Sequence, residues 1–232
     1  MKRFSTAIAL CLLSVSLAFG YCFTAWTTMT GAKTLAANPF FYLEPLGSGM
    51  DLNADIVGGY GFTDNMDLFV NLASLNLKSD PGAYGGSWLM PRYQIKENHI
   101  LALQLGADAN VEYFDIIPQY HYVMDRETWT LEVNALASFN TFDMGTPTFS
   151  ACLAPVYKLS QDRFYPFLEV NPSYALGDNG GFDFNVAPGF WVGVPETPHQ
   201  FAVSVPLYGI KDSDISAGIY VWYWYSLSLG KE

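Results

Sequence analysis

Charge is scarce in this sequence, and basic charge scarcest. Lys and Arg number 11 against 22 Asp and Glu in 232 residues, and charged residues make up only 14% of the chain. Soluble domains carry roughly 25%, so this composition can hardly cover a wholly water-exposed surface. The net charge of −11 argues against nucleic acid as a partner. Cysteine is sparse too, with Cys11, Cys22 and Cys152 only, which excludes a disulfide framework. Three dispersed histidines, His99, His121 and His199, match no ligand spacing with those cysteines, and no glycine-rich phosphate loop occurs. No metal or other cofactor is therefore expected. A barrel enzyme that processes lipid needs a nucleophilic serine within reach of a histidine, often two residues away on one strand face. The residues two beyond the histidines are Leu101, Val123 and Phe201, so catalysis is not expected either.

Long apolar runs are missing beyond the N-terminus, and transmembrane helices are not indicated. Residues 1–20 read as a secretory signal: Lys2 and Arg3 lead, Phe4 to Phe19 are largely apolar, and Ala18 and Gly20 are small residues at the cleavage positions. A retained N-terminal anchor fits worse because the run is short, and lipidation at Cys22 fits worse because bulky Tyr21 precedes it. Losing Lys2 and Arg3 leaves nine basic residues against 22 acidic ones, a balance near −13.

Apolar and aromatic residues are abundant, at 50% and 16%. They recur with period two. Leu52, Ala54, Ile56, Gly58, Tyr60 and Phe62 fall on one side of a strand, with Asn53, Asp55, Val57, Gly59 and Gly61 on the other. Thr63-Asp64-Asn65-Met66 turns the chain, and Leu68, Val70 and Leu72 then alternate with Asp67, Phe69, Asn71 and Ala73, which makes an antiparallel hairpin. After a lead-in over residues 21–38, the segment 39–232 divides into about twelve such strands: 39–46, 51–62, 67–77, 86–96, 99–110, 111–124, 128–141, 148–160, 163–176, 182–194, 199–209 and 214–229. Their connections alternate. Compact polar turns such as Lys96-Glu97-Asn98 and Asp125-Arg126-Glu127 take every second place, and connections richer in Gly, Pro and Asp take the others. Short periplasmic turns, longer outer loops and an even strand number predict an all-β, up-and-down antiparallel transmembrane β-barrel. It would sit in the outer membrane of a Gram-negative bacterium, with membrane lipid, lipopolysaccharide and the outer-membrane assembly machinery as partners. A secreted soluble sandwich is the competing fold.

Sidedness follows from the cost of charge in lipid, about 2–4 kcal/mol for Arg or Lys at the midplane and less for Asp or Glu. Glu132 alternates with Leu131 and Val133, and Asp183 with Phe182 and Phe184, so both carboxylates should face a lumen. By the same parity Asp55, Asp67, Asp108, Asp115 and Glu169 face inward, opposed by Arg92, Lys96 and Lys158. His121, Gln104, Gln119 and Asn134 lie between them, and Trp191, Trp222 and Trp224 are interleaved. Pro followed two residues later by an aromatic recurs at Pro91, Pro118, Pro155, Pro172 and Pro188 on the lipid side, while Pro206 and Tyr208 take the other. Each such proline predicts a bulge or bend.

The stretch Gly59-Tyr-Gly-Phe-Thr-Asp-Asn-Met-Asp-Leu68, with the repeated Pro-x-Tyr strands, resembles transporter-like outer-membrane barrels that include the phenol-degradation-pathway family. The resemblance implies an outer-membrane channel or uptake protein and assigns no residue a role. The candidate lumen lining is Asp55, Arg92, Asp115, His121, Glu132, Glu169, Asp183, Trp191, Trp222 and Trp224. An acidic wall with aromatic faces suits passive diffusion of small cationic, aromatic or hydrophobic solutes. The same residues could equally plug the lumen of a non-conducting structural or adhesive barrel.

Overall fold

The computed structural model describes residues 29–46, 49–78, 85–141, 143–159, 164–177, 180–194, 197–211 and 214–230. The signal segment 1–20 and the lead-in through residue 28, with Cys22, lie outside them. So do parts of the expected connections around Ser160–Asp162 and Pro195–Glu196.

The chain forms one antiparallel sheet closed on itself. In order it runs β1 (Thr34–Leu46), β2 (Gly49–Thr63), β3 (Met66–Asn76), β4 (Ser87–Lys96), β5 (His99–Ala107), β6 (Phe114–Asp125), β7 (Trp129–Asn140), β8 (Asp143–Tyr157), β9 (Phe164–Ala175) and β10 (Gly181–Gly193). It ends with β11 (His199–Ser204), β12 (Leu207–Tyr208), β13 (Ser216–Ala217) and β14 (Ile219–Ser228). β11 and β12 make one stave and β13 and β14 another, giving a closed barrel of twelve. Closure is the antiparallel pairing of β1 with β14, from Thr34 opposite Ser228 to Leu43 opposite Ile219. Both ends of the barrel domain therefore emerge on the side of the short turns.

Parity decides which side chains enter. The outward positions of the described strands hold mainly Leu, Val, Ile, Ala, Pro, Met and aromatic residues, with His99, His199 and Lys96 at the turn end and no Asp, Glu or Arg. Leu72, Phe41 and Ile56 are among the most exposed, at 65%, 50% and 46%. A water-soluble sheet would not leave so continuous an apolar belt uncovered. At the turn end the belt carries an aromatic rim that includes Tyr60, Phe62, Tyr93, Trp129 and Tyr157, as an interfacial girdle does.

Three expectations change. β1 begins at Thr34, inside the expected lead-in: Ala36 and Asn38 turn inward and are buried, and the segment pairs on both edges, with Gly58–Gly61 of β2 and Tyr225–Ser228 of β14. Its Ala-Ala pair gives too little hydrophobic contrast to show in the sequence. The fifth and sixth strands are separated by a loop at Asp108–Tyr113, where Val111 takes a positive φ of 59°.

The outward prolines make no bulge. At Pro39, Pro91, Pro118, Pro155, Pro172 and Pro188 one ladder runs through unbroken while the other skips the proline and resumes in the same register. Leu89 thus pairs with Leu105 and Arg92 with Ala102, across the gap at Met90 and Pro91. A missing N–H costs one rung, and the other edge holds the strand straight. Opposite Pro39 the Asn38 side chain donates from Nδ2 to the Tyr223 carbonyl at 3.1 Å and replaces the absent backbone donor. Pro206 is different: it is buried and inward-facing, and it separates β11 from β12. The actual bulges lie between Ile56 and Val57, Gly61 and Thr63, Gln94 and Lys96, and Ser138 and Asn140.

Candidate functional site: the barrel interior

Inward side chains from every stave meet inside the barrel, and most are nearly excluded from solvent. One wall, on β3 to β9, is polar. Arg92 reaches Asp67 through two bonds, Nε to Oδ1 at 2.8 Å and Nη2 to Oδ2 at 2.6 Å, and neither side chain is exposed. The register brings them together, since Asp67 and Arg92 are direct partners between β3 and β4. The guanidinium also lies 4.6 Å from the centre of the Phe69 ring, a cation–π contact. An amide ladder continues across the next strands: Gln119 donates from Nε2 to Gln104 Oε1 at 3.0 Å, and Asn134 from Nδ2 to Gln119 Oε1 at 3.3 Å. His121 sits beside it, fully buried.

The opposite wall is aromatic. Trp222 is 1% exposed, packs edge-on against Trp191 at 5.4 Å between centroids, and lies 6.3 Å from Phe167. Trp224 meets Phe69 at 5.9 Å. Two glycines let these rings lie flat on the wall. A Cβ at Gly59 would fall 2.3 Å from the Phe69 ring, and one at Gly189 would fall 2.4 Å from the Phe167 ring. Nearer the loop end, Glu44 accepts hydrogen bonds from the Tyr208 and Tyr220 hydroxyls, and Tyr220 stacks on Tyr42.

All ten residues expected to line the lumen fall on the inner face. Asp55, Arg92, His121, Glu169 and Trp222 are buried, while Asp115, Glu132, Asp183, Trp191 and Trp224 are half-buried. The interior links Arg92 to Trp224 through Phe69, and separately joins Trp222 to Trp191 and Phe167. Asp115 stands apart at the loop end, accepting from Asn140 Nδ2 at 2.7 Å, and Asp183 accepts at Oδ1 from the Phe184 amide.

Two further inward candidates, Lys96 and Asp108, are corrected, while Lys158 keeps inward parity at the rim. Lys96 follows a bulge, pairs with His99 at the rim and is exposed, because the extra residue reverses its parity. Asp108 organises the loop after β5: Oδ1 accepts from the Glu112 and Tyr113 amides at 2.7 and 3.0 Å, and Oδ2 from the Asn110 amide at 3.1 Å. Those Tyr113, Asn110 and Glu112 donors hold its carboxyl below the ordinary range. Lys158 lies at the turn end, paired with Asp125 at 2.5 Å. Sequence reasoning missed Glu44 and Asp51 as inner carboxylates, although both have the right parity.

Several buried polar atoms on this surface have no hydrogen-bond partner among the described residues: both ring nitrogens of His121, Asn134 Oδ1, Asn185 Oδ1, Ser204 Oγ and Trp222 Nε1. Buried polar groups are ordinarily satisfied, by protein or by water. His99 and His199 bond to Tyr120 and Tyr223, and among the described residues no His/Cys/Asp/Glu group could hold a metal ion.

No family model matches the chain, and no curated protein matches it. Solved structures do. An outer membrane channel from Pseudomonas putida F1 is similar at a TM-score of 0.59 and 12% identity, over 87% of this chain and 98% of that one. The NanC porin matches at 0.59 and 6% identity, over 83% of this chain and 100% of its own. The KdgM porin in complex with disordered oligogalacturonate matches at 0.57 and 8% identity, over 84% and 99%. The fold is that of the outer-membrane channel and porin barrels.

Proposed function

We propose that this chain is an outer-membrane channel that passes small solutes by passive diffusion along a narrow lumen. The observation that carries the reading is the sidedness of the closed sheet: carboxylates, amides and Arg92 turn inward behind a continuous apolar outer belt, the arrangement a membrane channel needs. The short turns and both strand termini then mark the periplasmic end, and the apolar belt contacts phospholipid and lipopolysaccharide. The resemblance at Gly59–Leu68 to the phenol-degradation-pathway proteins supports aromatic solutes, as do Trp191, Trp222 and Trp224. The surplus of inward carboxylates over Arg92 supports cations.

Planar-bilayer recording on the refolded protein tests the reading. Discrete, cation-preferring steps are expected, and Glu132→Lys or Asp183→Lys should move the reversal potential toward anions. Unchanged reversal potentials would remove those two residues from the path. A second reading, a non-conducting barrel plugged by its own side chains, is favoured by the near-complete burial of inward groups at mid-height, such as Phe69, Ile117, His121, Glu169 and Ala202. A bilayer that stays sealed under all conditions selects it.

A further inference from the structure

The periplasmic rim carries the same arrangement twice. His99 opens β5 directly opposite Tyr122 of β6, with Leu101 opposite Tyr120. His199 opens β11 directly opposite Tyr225 of β14, with Phe201 opposite Tyr223. In each, Nδ1 is bonded to the hydroxyl of the diagonal tyrosine, at 2.6 Å to Tyr120 and 2.5 Å to Tyr223. The imidazole packs on the facing ring at 4.9 Å in one cluster and 5.1 Å in the other. Four staves lie between them on each side, so they stand on opposite sides of the barrel. Both share the outward face with the apolar belt.

We propose that these two clusters bind the phosphate of glycerophospholipids in the periplasmic leaflet; the inference rests on the reading of the chain as a membrane barrel. A bond made only to staple neighbouring strands would need one ring nitrogen and no position at the headgroup level. Here Nε2 of each half-buried imidazole is left without a partner among the described residues. When the tyrosine hydroxyl donates to Nδ1, the ring proton sits on Nε2, which becomes a donor for a phosphate oxygen. Charge agrees at the first cluster, where exposed Lys96 is the ladder partner of His99 and the bulge before it turns both to the same face. Glu97, next in the turn, is exposed and adds a carboxylate near that lysine. No comparable lysine pairs with His199, so the first cluster is the stronger site.

Full-length protein with ring-labelled histidines, held in maltoside micelles, is titrated with dioleoyl phosphatidylglycerol and followed by nitrogen NMR. Saturable shifts of the His99 and His199 Nε2 resonances are expected, with His121 unmoved. His99→Asn should leave the His199 response intact, and His199→Asn that of His99. His99→Phe keeps the ring packing without the nitrogens and should likewise leave the His199 response intact while abolishing the phosphatidylglycerol-induced shift of the Lys96 amide, read with a backbone nitrogen label. Lys96→Gln should weaken the first cluster by about tenfold, the factor for one charge-assisted hydrogen bond, and leave the second alone. No shift with phosphatidylglycerol overturns the proposal, and so does an equal shift with a phosphate-free galactolipid. An equal shift with soluble glycerol 3-phosphate would show a free-anion site and overturns it as well. Entry into liposomes without these shifts refutes the lipid sites alone, whereas failure to enter liposomes refutes the barrel reading itself.

Discussion

Breaking the Arg92–Asp67 pair should cost more than any other single lumen substitution. Both groups are without exposure and joined by two bonds of 2.8 and 2.6 Å. Opposite charges about 4 Å apart attract by about 4 kcal/mol at an effective dielectric of 20. Removing one partner from a buried pair typically costs about 3–5 kcal/mol, because the other charge stays buried. Arg92→Met would leave Asp67 with only the Thr30 amide and hydroxyl, at 2.9 and 3.0 Å, and would take the cation off the Phe69 ring. Asp67→Asn would take the Asp67 charge away from Arg92 and loosen Thr30 from the turn-end mouth. Each variant should lower stability by about 3 kcal/mol or more, while Asp67→Asn/Arg92→Met should return to within about 1 kcal/mol of the parent. Urea unfolding in lipid vesicles, followed by tryptophan fluorescence and gel mobility, measures all three. Two single variants that each cost under about 1 kcal/mol and simply add in the double would refute the reasoning, because the pair would then be screened by water.

At the closing seam, Asn38→Ala should leave the Tyr223 carbonyl opposite Pro39 without a donor and cost about 1–3 kcal/mol, read in the same unfolding assay. Asn38→Ala/Pro39→Ala restores a backbone N–H and should recover most of it. The loop Asp108–Tyr113 should depend on pH through Asp108, whose carboxyl is held below its ordinary value chiefly by the Tyr113 amide and then by the Asn110 and Glu112 amides. A depressed folded value means the contribution is whole above the ordinary carboxylate range and is lost as pH falls through the lowered value. The amide resonances of Asn110, Glu112 and Tyr113 should therefore move together on acidification, and Asp108→Asn should remove that transition.

Sidedness was legible because parity is local. Glu132 between Leu131 and Val133, or Asp183 between Phe182 and Phe184, needs no knowledge of the neighbouring strand to be assigned a face. Pairing was not legible, because it depends on register. Asp67 and Arg92 meet only because the β3–β4 ladder places them opposite each other, and Lys96 leaves the lumen only because a bulge adds one residue before it. Asp108 has inward parity if its strand continues, and nothing in the sequence marks that the strand stops at Ala107. Gly59 and Gly189 show no role of their own in the sequence. Their purpose became visible only once Phe69 and Phe167, from adjacent strands, lay across them.

The outward prolines carry a consequence for the chain before it is a barrel. Before the sheet closes, the strands of this chain are unpaired in water, and sticky extended segments at that stage recruit copies of one another. Because proline cannot donate, it blocks growth along one edge of any such stack, as it interrupts one rung of the finished wall. Six strands so marked can join a neighbour on the permitted side yet make poor templates for open-ended aggregation. The residues that look least suited to a sheet thereby protect the chain before it closes.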